Sequence, residues 1–295
     1  MKLIAISGGV DSMVLADIYK NESNLVLAYV NYNWRHDSSI DQAIVENFAF
    51  KNNLKLEKLI LDGQIPSENL QNWARKIRYD FFSKIYKKYH CTELLVAHHK
   101  DDFLETALMQ ELKNPKKLFF GIKENQNLFD MNINRPLLFK FWKKEIYDYA
   151  HANGINYHDD YTNFEFKYLR NKIRNSYIKN LTDAQKEKLF NKFIIYNENQ
   201  KEFVNRIDQE FLMWTKDQFN IIFFKNSSLQ KYLITKFLNH KINNLKISKN
   251  IIEGIIRFIL SSKNNKKFKL NKDFFLVKKN QHLLLEKNEN IHMKK

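Results

Sequence analysis

Leu3-Ile4-Ala5-Ile6-Ser7-Gly8-Gly9-Val10-Asp11-Ser12 passes from four apolar residues through two adjacent glycines into a helical pattern that continues to residue 19. A short apolar run of this kind reads as a buried strand, and the Ser-Gly-Gly step as the turn that sends the chain into a helix. Glycine permits tight-turn dihedrals and lets backbone N–H groups come close to a ligand. Those amides, the Ser7 and Ser12 hydroxyls and the positive end of the helix together suit a pyrophosphate. The stretch is not the GxxxxGK[ST] loop, because it lacks both the lysine and the spacing.

Outward from this point the same alternation repeats. Apolar runs at 25–30, 54–61 and 94–97 are followed by helical patterns at 40–50, through Trp73, Ile77, Phe81 and Ile85, and through Leu104, Leu108 and Leu112. Strand, helix, strand, helix predicts an α/β domain with a parallel sheet covered on both faces by right-handed crossovers. Ligands bind such sheets beyond the carboxyl ends of the strands. The clusters at 7–12, 31–35 and 98–102 each follow a strand. A fifth strand is predicted at Arg135-Pro136-Leu137-Leu138, then a helix over 142–152. Thr182-Asp183 reads as the N-cap of a long charged helix running to about Met213. Helical stretches at 229–238 and 251–260, an exposed turn at 263–269, strand-like runs at 268–277 and 282–286 and a frayed tail complete the chain. The predicted organisation is a catalytic domain over 1–183, a helical connector over 184–213 and a small α+β domain over 214–295.

The chain has 295 residues, 44% hydrophobic and 28% charged, which is enough to bury a sizeable core. It contains no leader-like segment after Met1 and no apolar run of the roughly 18 residues that suggest a membrane span, so a cytoplasmic protein is expected. One cysteine, Cys91, cannot form an intrachain disulfide or by itself a Cys-based metal centre. The net charge of +16 is segregated: residues 1–213 carry 31 basic and 28 acidic side chains, and residues 214–295 carry 18 and 5. A net +13 confined to the last 82 residues reads as a binder of phosphate backbones, set against the plainer reading of a solvated Lys-rich surface.

A second cluster, His98-His99-Lys100-Asp101-Asp102-Phe103-Leu104-Glu105-Thr106, follows the fourth strand and opens a helix. On that helix His98, Asp102 and Glu105 can face one site. An acidic pair beside a nucleotide suits Mg²⁺, here Asp102 with Glu105, and a neutral histidine can donate to a phosphate or a developing oxyanion. The bland alternative is helix capping by Asp101 or Asp102. Arg75 with Arg78, and Arg170 with Arg174, are spaced to present paired guanidiniums on one helix face, or merely solvated ion pairs. Lys116-Lys117, Lys143-Lys144 and Lys266-Lys267 are candidate RNA contacts, and Trp34 or Phe120 could stack on a splayed base.

Ser7-Gly8-Gly9-Val10-Asp11-Ser12 resembles the SGGxDS loop of the PP-loop ATP pyrophosphatases. The run from Leu95 to Met109 is similar to the LAHHxDDxxETxLM signature of the tRNA(Ile)-lysidine synthetases. So are Ala74-Arg75-Lys76-Ile77-Arg78-Tyr79, the 135–138 RPLL segment, and Asp160-Tyr161-Thr162-Asn163 with Arg170-Asn171-Lys172-Ile173-Arg174. The resemblance covers about residues 1–180. It implies an adenine nucleotide alpha hydrolase-like fold and an enzyme that uses ATP to adenylate C2 of the wobble cytidine of a CAU-anticodon isoleucine tRNA, L-lysine then displacing AMP. It implies ATP contacts at Ser7, Gly8, Gly9, Val10, Asp11 and Ser12, and catalytic roles for Asp11, Arg78, His98, Asp102, Glu105 and Arg170. Arg35, Arg75, Arg174, Lys116, Lys117, Lys266 and Lys267 are the candidate RNA contacts, and a homodimer is left open. Two segments depart from the family pattern: Asn31-Tyr32-Asn33-Trp34-Arg35 stands for an N-H-G-L-R-like run, and 112–121 replaces a Gly-rich loop. The alternatives are a PP-loop tRNA thiolase, disfavoured because thiolases generally use a cysteine pair or cluster, and a non-catalytic nucleotide or tRNA-binding module.

Overall fold

The computed structural model describes residues 1–34, 36–63, 70–158, 169–242, 248–262 and 267–288, which form two compact units, Met1–Asn197 and Glu198–Lys295. The first unit runs β1 (Lys2–Ile6), α1 (Val10–Tyr19), β2 (Leu25–Asn31), α2 (Ser38–Lys51), β3 (Lys55–Ile60), α3 (Leu70–Lys88), β4 (Glu93–Leu95), α4 (Lys100–Lys113), β5 (Asn125–Leu128), β6 (Met131–Asn134), α5 (Lys143–Ala152) and α6 (Leu169–Ser176). Helix α7 (Asp183–Lys216) begins in this unit and ends in the next, so the boundary between the units falls inside the helix expected as a connector. A reciprocal cap starts it: Thr182 N–H donates to Gln185 Oε1 at 2.8 Å, and Gln185 N–H to Thr182 Oγ1 at 3.2 Å.

The sheet order is β3-β2-β1-β4-β6-β5, parallel except for β5. Alternate residues of the central strands feed opposite layers. Ile4, Ile6, Leu27, Tyr29 and Leu95 pack with α1, α2 and α5, whereas Leu3, Val26, Ala28 and Leu94 pack with α3. Successive crossovers move outward from β1 to β3 and then return to the far side of β1. The order therefore reverses between β1 and β4, the place where a crevice opens at the strand ends.

The strand expected at 135–138 lies earlier in the chain. β6 ends at Asn134, and the segment after it is a turn, with Leu138 N–H donating to Arg135 O at 3.1 Å. Pro136 has no N–H to give a ladder, and the leucines are apolar because the turn buries Leu137 in the α1 layer and Leu138 against α4. β6 instead pairs with β5 in a hairpin whose turn residues Phe129 and Asp130 both take positive φ.

The second unit contains the end of α7, α8 (Ile221–Asn226), α9 (Gln230–Lys241), α10 (Lys249–Leu260) and an antiparallel sheet β7 (Lys267–Lys269), β8 (Phe274–Lys279), β9 (His282–Lys287). The single strand-like run read over 268–277 is thus two strands joined by a turn. Trp214, fully buried, centres the core among Phe219, Phe224 and Phe237, with ring separations of 5.2, 5.2 and 5.7 Å. Lys278 is buried with its ammonium on Phe258 O, Ser261 O and Ser261 Oγ, capping the carboxyl end of α10. No described helix is long and apolar enough to cross a membrane.

Candidate active site

Ser7 to Ser12 link β1 to α1 at the reversal point. Gly8 has φ +86°, and a Cβ there would come within 3.0 Å of Asp41, so this position requires glycine. Ser12 Oγ lies 3.1 Å from Ser7 Oγ, accepts from Ser7 N–H at 3.0 Å and donates to Gly9 O at 2.9 Å. The loop is thereby held open before any phosphate arrives. From behind, His158 N–H donates to Gly8 O at 3.0 Å, and its ring lies 3.0 Å from Asp41 Oδ1 and 3.6 Å from Asp37 Oδ2.

The second cluster faces this loop from the start of α4. Asp102 reaches back to accept the His99 backbone N–H at 3.0 Å, so the capping reading is correct for this residue. Its other oxygen takes Arg170 Nη2 at 2.5 Å. Burial pushes the Asp102 carboxyl up, but His99, His98 and Arg170 with the His99 amide outweigh it and hold the group well below the usual carboxylate range. Glu105 is 0% exposed and accepts from Arg170 Nε at 2.6 Å and from Arg174 Nε and Nη2 at 2.5 and 3.0 Å. These charge-assisted bonds fasten α6 to α4. Asp101, expected only as a cap, accepts the Lys143 backbone N–H at 2.7 Å and so starts α5.

His99 joins the two clusters. Its Nε2 lies 3.7 Å from Asp11 Oδ1 and 3.4 Å from Asp102 Oδ2, and its Nδ1 lies 3.5 Å from Asp101 Oδ2. Burial alone would lower its pKa, yet Asp102, Asp101 and Asp11 raise it to about 8. An unfolded histidine titrates near 6.5, so this pairing stabilises the fold fully below about pH 6.5 and loses that contribution as pH rises through about 8; the whole effect is about 2 kcal/mol. We expect unfolding midpoints measured between pH 6 and 9 to fall across this window in the native chain and to stay flatter in His99→Gln. Equal slopes for the two proteins would contradict the assignment.

Of the residues singled out in the sequence, the structure brings Ser7–Ser12, Asp11, His98, Asp102, Glu105 and Arg170 to one crevice. Arg78 is exposed on α3 and makes no ion pair among the described residues, while Arg75 lies 4.6 Å over the Tyr79 ring. Arg174, expected to touch RNA, has its guanidinium committed to Glu105. Lys143, also read as an RNA contact, places its ammonium 2.6 Å from Asp11 Oδ1. Phe120 is 2% exposed and packs on Phe193 and Tyr196, so it is a core ring and not a stacking platform. The 112–121 loop around it is fixed: Asn197 bonds both the N–H and the O of Phe120 at 2.8 Å, and Gln110 bonds the N–H and the O of Gly121 at 2.8 and 3.2 Å. Trp34 stacks on Tyr32 at 4.6 Å beside Trp73. Lys116 is exposed, Lys117 is half-buried, and Lys267 pairs with Glu286. Arg35, Lys266 and the 160–163 segment lie outside the described residues. Sequence reasoning missed Asp41 and His158, which sit on a helix face and a polar loop with no motif to mark them.

A PP-loop domain is matched over residues 1–181. The chain is 46% identical to a tRNA(Ile)-lysidine synthase of Mycoplasmopsis pulmonis, over 94% of this chain and 96% of that protein. It is 37% identical to another of the same name from Mesomycoplasma hyopneumoniae, over 96% and 94%. Among solved structures it resembles a U34-tRNA thiolase from Methanococcus maripaludis with a [4Fe-4S] cluster. That likeness has a TM-score of 0.52 at 20% identity over 67% of this chain and 71% of the other, and concerns the fold alone.

Proposed function

The chain belongs to the tRNA(Ile)-lysidine synthases, and on that premise we propose that it joins L-lysine to C2 of the wobble cytidine of a CAU-anticodon isoleucine tRNA, consuming ATP. The observation that carries the reading is the meeting of the Ser7–Ser12 loop with the Asp102–Arg170–Glu105 cluster across His99. The first step forms a bond from the C2 oxygen to the α-phosphorus and breaks the α–β bridge, releasing pyrophosphate. Loop amides and hydroxyls receive the pyrophosphate, and Arg170 offers a guanidinium to charge developing beside it. In the second step the neutral ε-amine of lysine bonds to C2, the C2–oxygen bond breaks as that oxygen departs with AMP, and one amine proton is released to solvent. Holding base, ATP and lysine together supplies much of the acceleration.

Asp11 and Asp102 fit a Mg²⁺ that arrives on ATP. Each places a hard oxygen within 3.7 Å of His99 Nε2, so the two would flank the same nucleotide, and Mg²⁺ carried on phosphates needs only one or two protein carboxylates. Among the described residues no group of three or more His, Cys, Asp or Glu could hold a metal unaided. The ion would neutralise charge on the leaving pyrophosphate. A thiolase reading is not favoured: the single cysteine, Cys91, is buried, and burial pushes its thiol up, away from the reactive thiolate. With α-labelled ATP, Mg²⁺ and the CAU tRNA, the product expected is AMP, dependent on tRNA. Formation of ADP, or AMP release without tRNA, would overturn the proposal.

The second unit is the proposed tRNA grip. It carries 20 basic and 9 acidic residues, and one face of its sheet presents exposed Lys267, Lys269 and Lys279 beside half-buried Phe275 and His282. Cations with an aromatic on a sheet surface suit an RNA backbone and its bases. Changing Lys267, Lys269 and Lys279 to Gln is expected to weaken tRNA binding and reduce the slope of log Kd against log salt by about 2, on the order of 0.7 to 0.9 per contact. An unchanged slope would exclude this face.

A further inference from the structure

Arg135 is 3% exposed, and the only polar partners of its guanidinium among the described residues are a ring nitrogen and a backbone oxygen. Its Nε donates to His98 Nδ1 at 3.2 Å and its Nη1 to Lys123 O at 2.7 Å; no carboxylate of the described residues lies in ion-pair range. A buried guanidinium without a counter-ion is costly, so its placement calls for a reason. Arginine has five donors and no acceptor. The bonded His98 Nδ1 must therefore be a lone pair, and which nitrogen of a neutral imidazole carries the proton is set by the bond that the other makes. Nε2 of His98 has no hydrogen bond among the described residues, and His98 is half-buried rather than sealed in the core.

We propose that Arg135 is a positioning residue that locks His98 as the Nε2–H tautomer, making His98 a hydrogen-bond donor to charge developing on ATP or the base and not a general base for the incoming amine. The inference rests on the lysidine-synthase reading for what receives the bond, but the tautomer itself is independent of that reading. The ring's surroundings agree with it. Burial, with Arg135 and Arg170 close by, pushes His98 down to about 4 despite Asp102, so the imidazole stays neutral through the physiological range. Both nitrogens are then accounted for, and no lone pair is left to take a proton from lysine.

Nitrogen-15 NMR of the native full chain, labelled at histidine, tests the lock directly. Nδ1 of His98 is expected as an unprotonated acceptor and Nε2 as protonated, with averaging between tautomers appearing in Arg135→Met. A protonated Nδ1 in the native protein overturns the proposal whatever the enzyme's activity. The kinetic counterpart uses His98 itself. His98→Gln, whose amide retains a donor near the Nε2 position, is expected within about tenfold of native kcat, whereas His98→Leu loses about 100-fold with KM for ATP within a few-fold. Equal losses in Gln and Leu would indicate a base and sink the idea. Arg135→Met is expected to lower kcat about tenfold in the native background and to cost nothing more in His98→Leu, the mark of one residue acting through the other. Additive losses would separate them. A native chain with the expected tautomer but no lysine transfer would refute the proposed function and leave the lock standing.

Discussion

Asp102→Asn lowers lysine transfer at least about 100-fold while tRNA affinity stays within a few-fold. The substitution keeps the shape of the side chain and replaces one oxygen with an NH₂ group. Both oxygens of Asp102 are already acceptors, one for Arg170 Nη2 and one for the His99 amide, so the new NH₂ group must face a donor in either orientation. Arg170 loses one of its two charged partners, keeping Glu105, and the site loses one of two carboxylates offered to the metal. Unpaired donors in a buried site cost about 1 to 3 kcal/mol each, more where a charge is involved. The second unit, where the RNA grip is proposed, contains none of these atoms. Filter binding and initial rates measured on the same preparation check the separation; parallel loss of affinity and rate would remove Asp102 from the chemistry.

Glu105→Ala has the largest expected effect on stability. Its carboxylate is fully buried and ties two guanidiniums, Arg170 and Arg174, that are themselves 37% and 30% exposed at the side chain. Removing one partner of a buried ion pair costs about 3 to 5 kcal/mol, and partial exposure of the arginines reduces this to roughly 2 to 3. For a unit of this size that lowers the midpoint of thermal unfolding by about 5 to 10 °C. Activity falls with it, because α6 loses the carboxylate that anchors Arg170 beside Asp102. Calorimetry on the variant decides the point: a midpoint within about 2 °C of native would mean that α6 is held by its apolar contacts, with Ile173 the obvious candidate.

The two predictions draw on features of different visibility in the sequence. Alternating apolar runs and helical periods predicted β1 to β4 and their helices because β1, β2 and β4 are buried on both faces, the edge strand β3 still carries leucines, and the helices carry an apolar side, so the pattern is local. Hairpin β5–β6 was hidden: Asn125-Gln126-Asn127 is polar, and positive φ at Phe129 and Asp130 leaves no glycine signal. The 135–138 leucines misled because burial in a turn looks, in one dimension, like burial in a strand. The two central motifs were legible because loops at strand ends carry functional side chains at fixed offsets. Lys143, Arg174 and Phe120 have partners that the sequence did not show, for one common reason. A lone cation or ring in the sequence does not reveal whether tertiary structure has already supplied its partner, here Asp11, Glu105 and the Phe193–Tyr196 pair.

The central claim is that the crevice between β1 and β4 joins lysine to a specific tRNA base. Purified chain incubated with ATP, Mg²⁺ and labelled lysine is presented with an isoleucine tRNA bearing a CAU anticodon and, separately, with initiator tRNA. The account predicts label retained on the isoleucine tRNA only, with AMP released in step. AMP release without retained lysine would keep an adenylating enzyme and discard lysine as the nucleophile, and label on neither tRNA with no AMP would contradict the account outright.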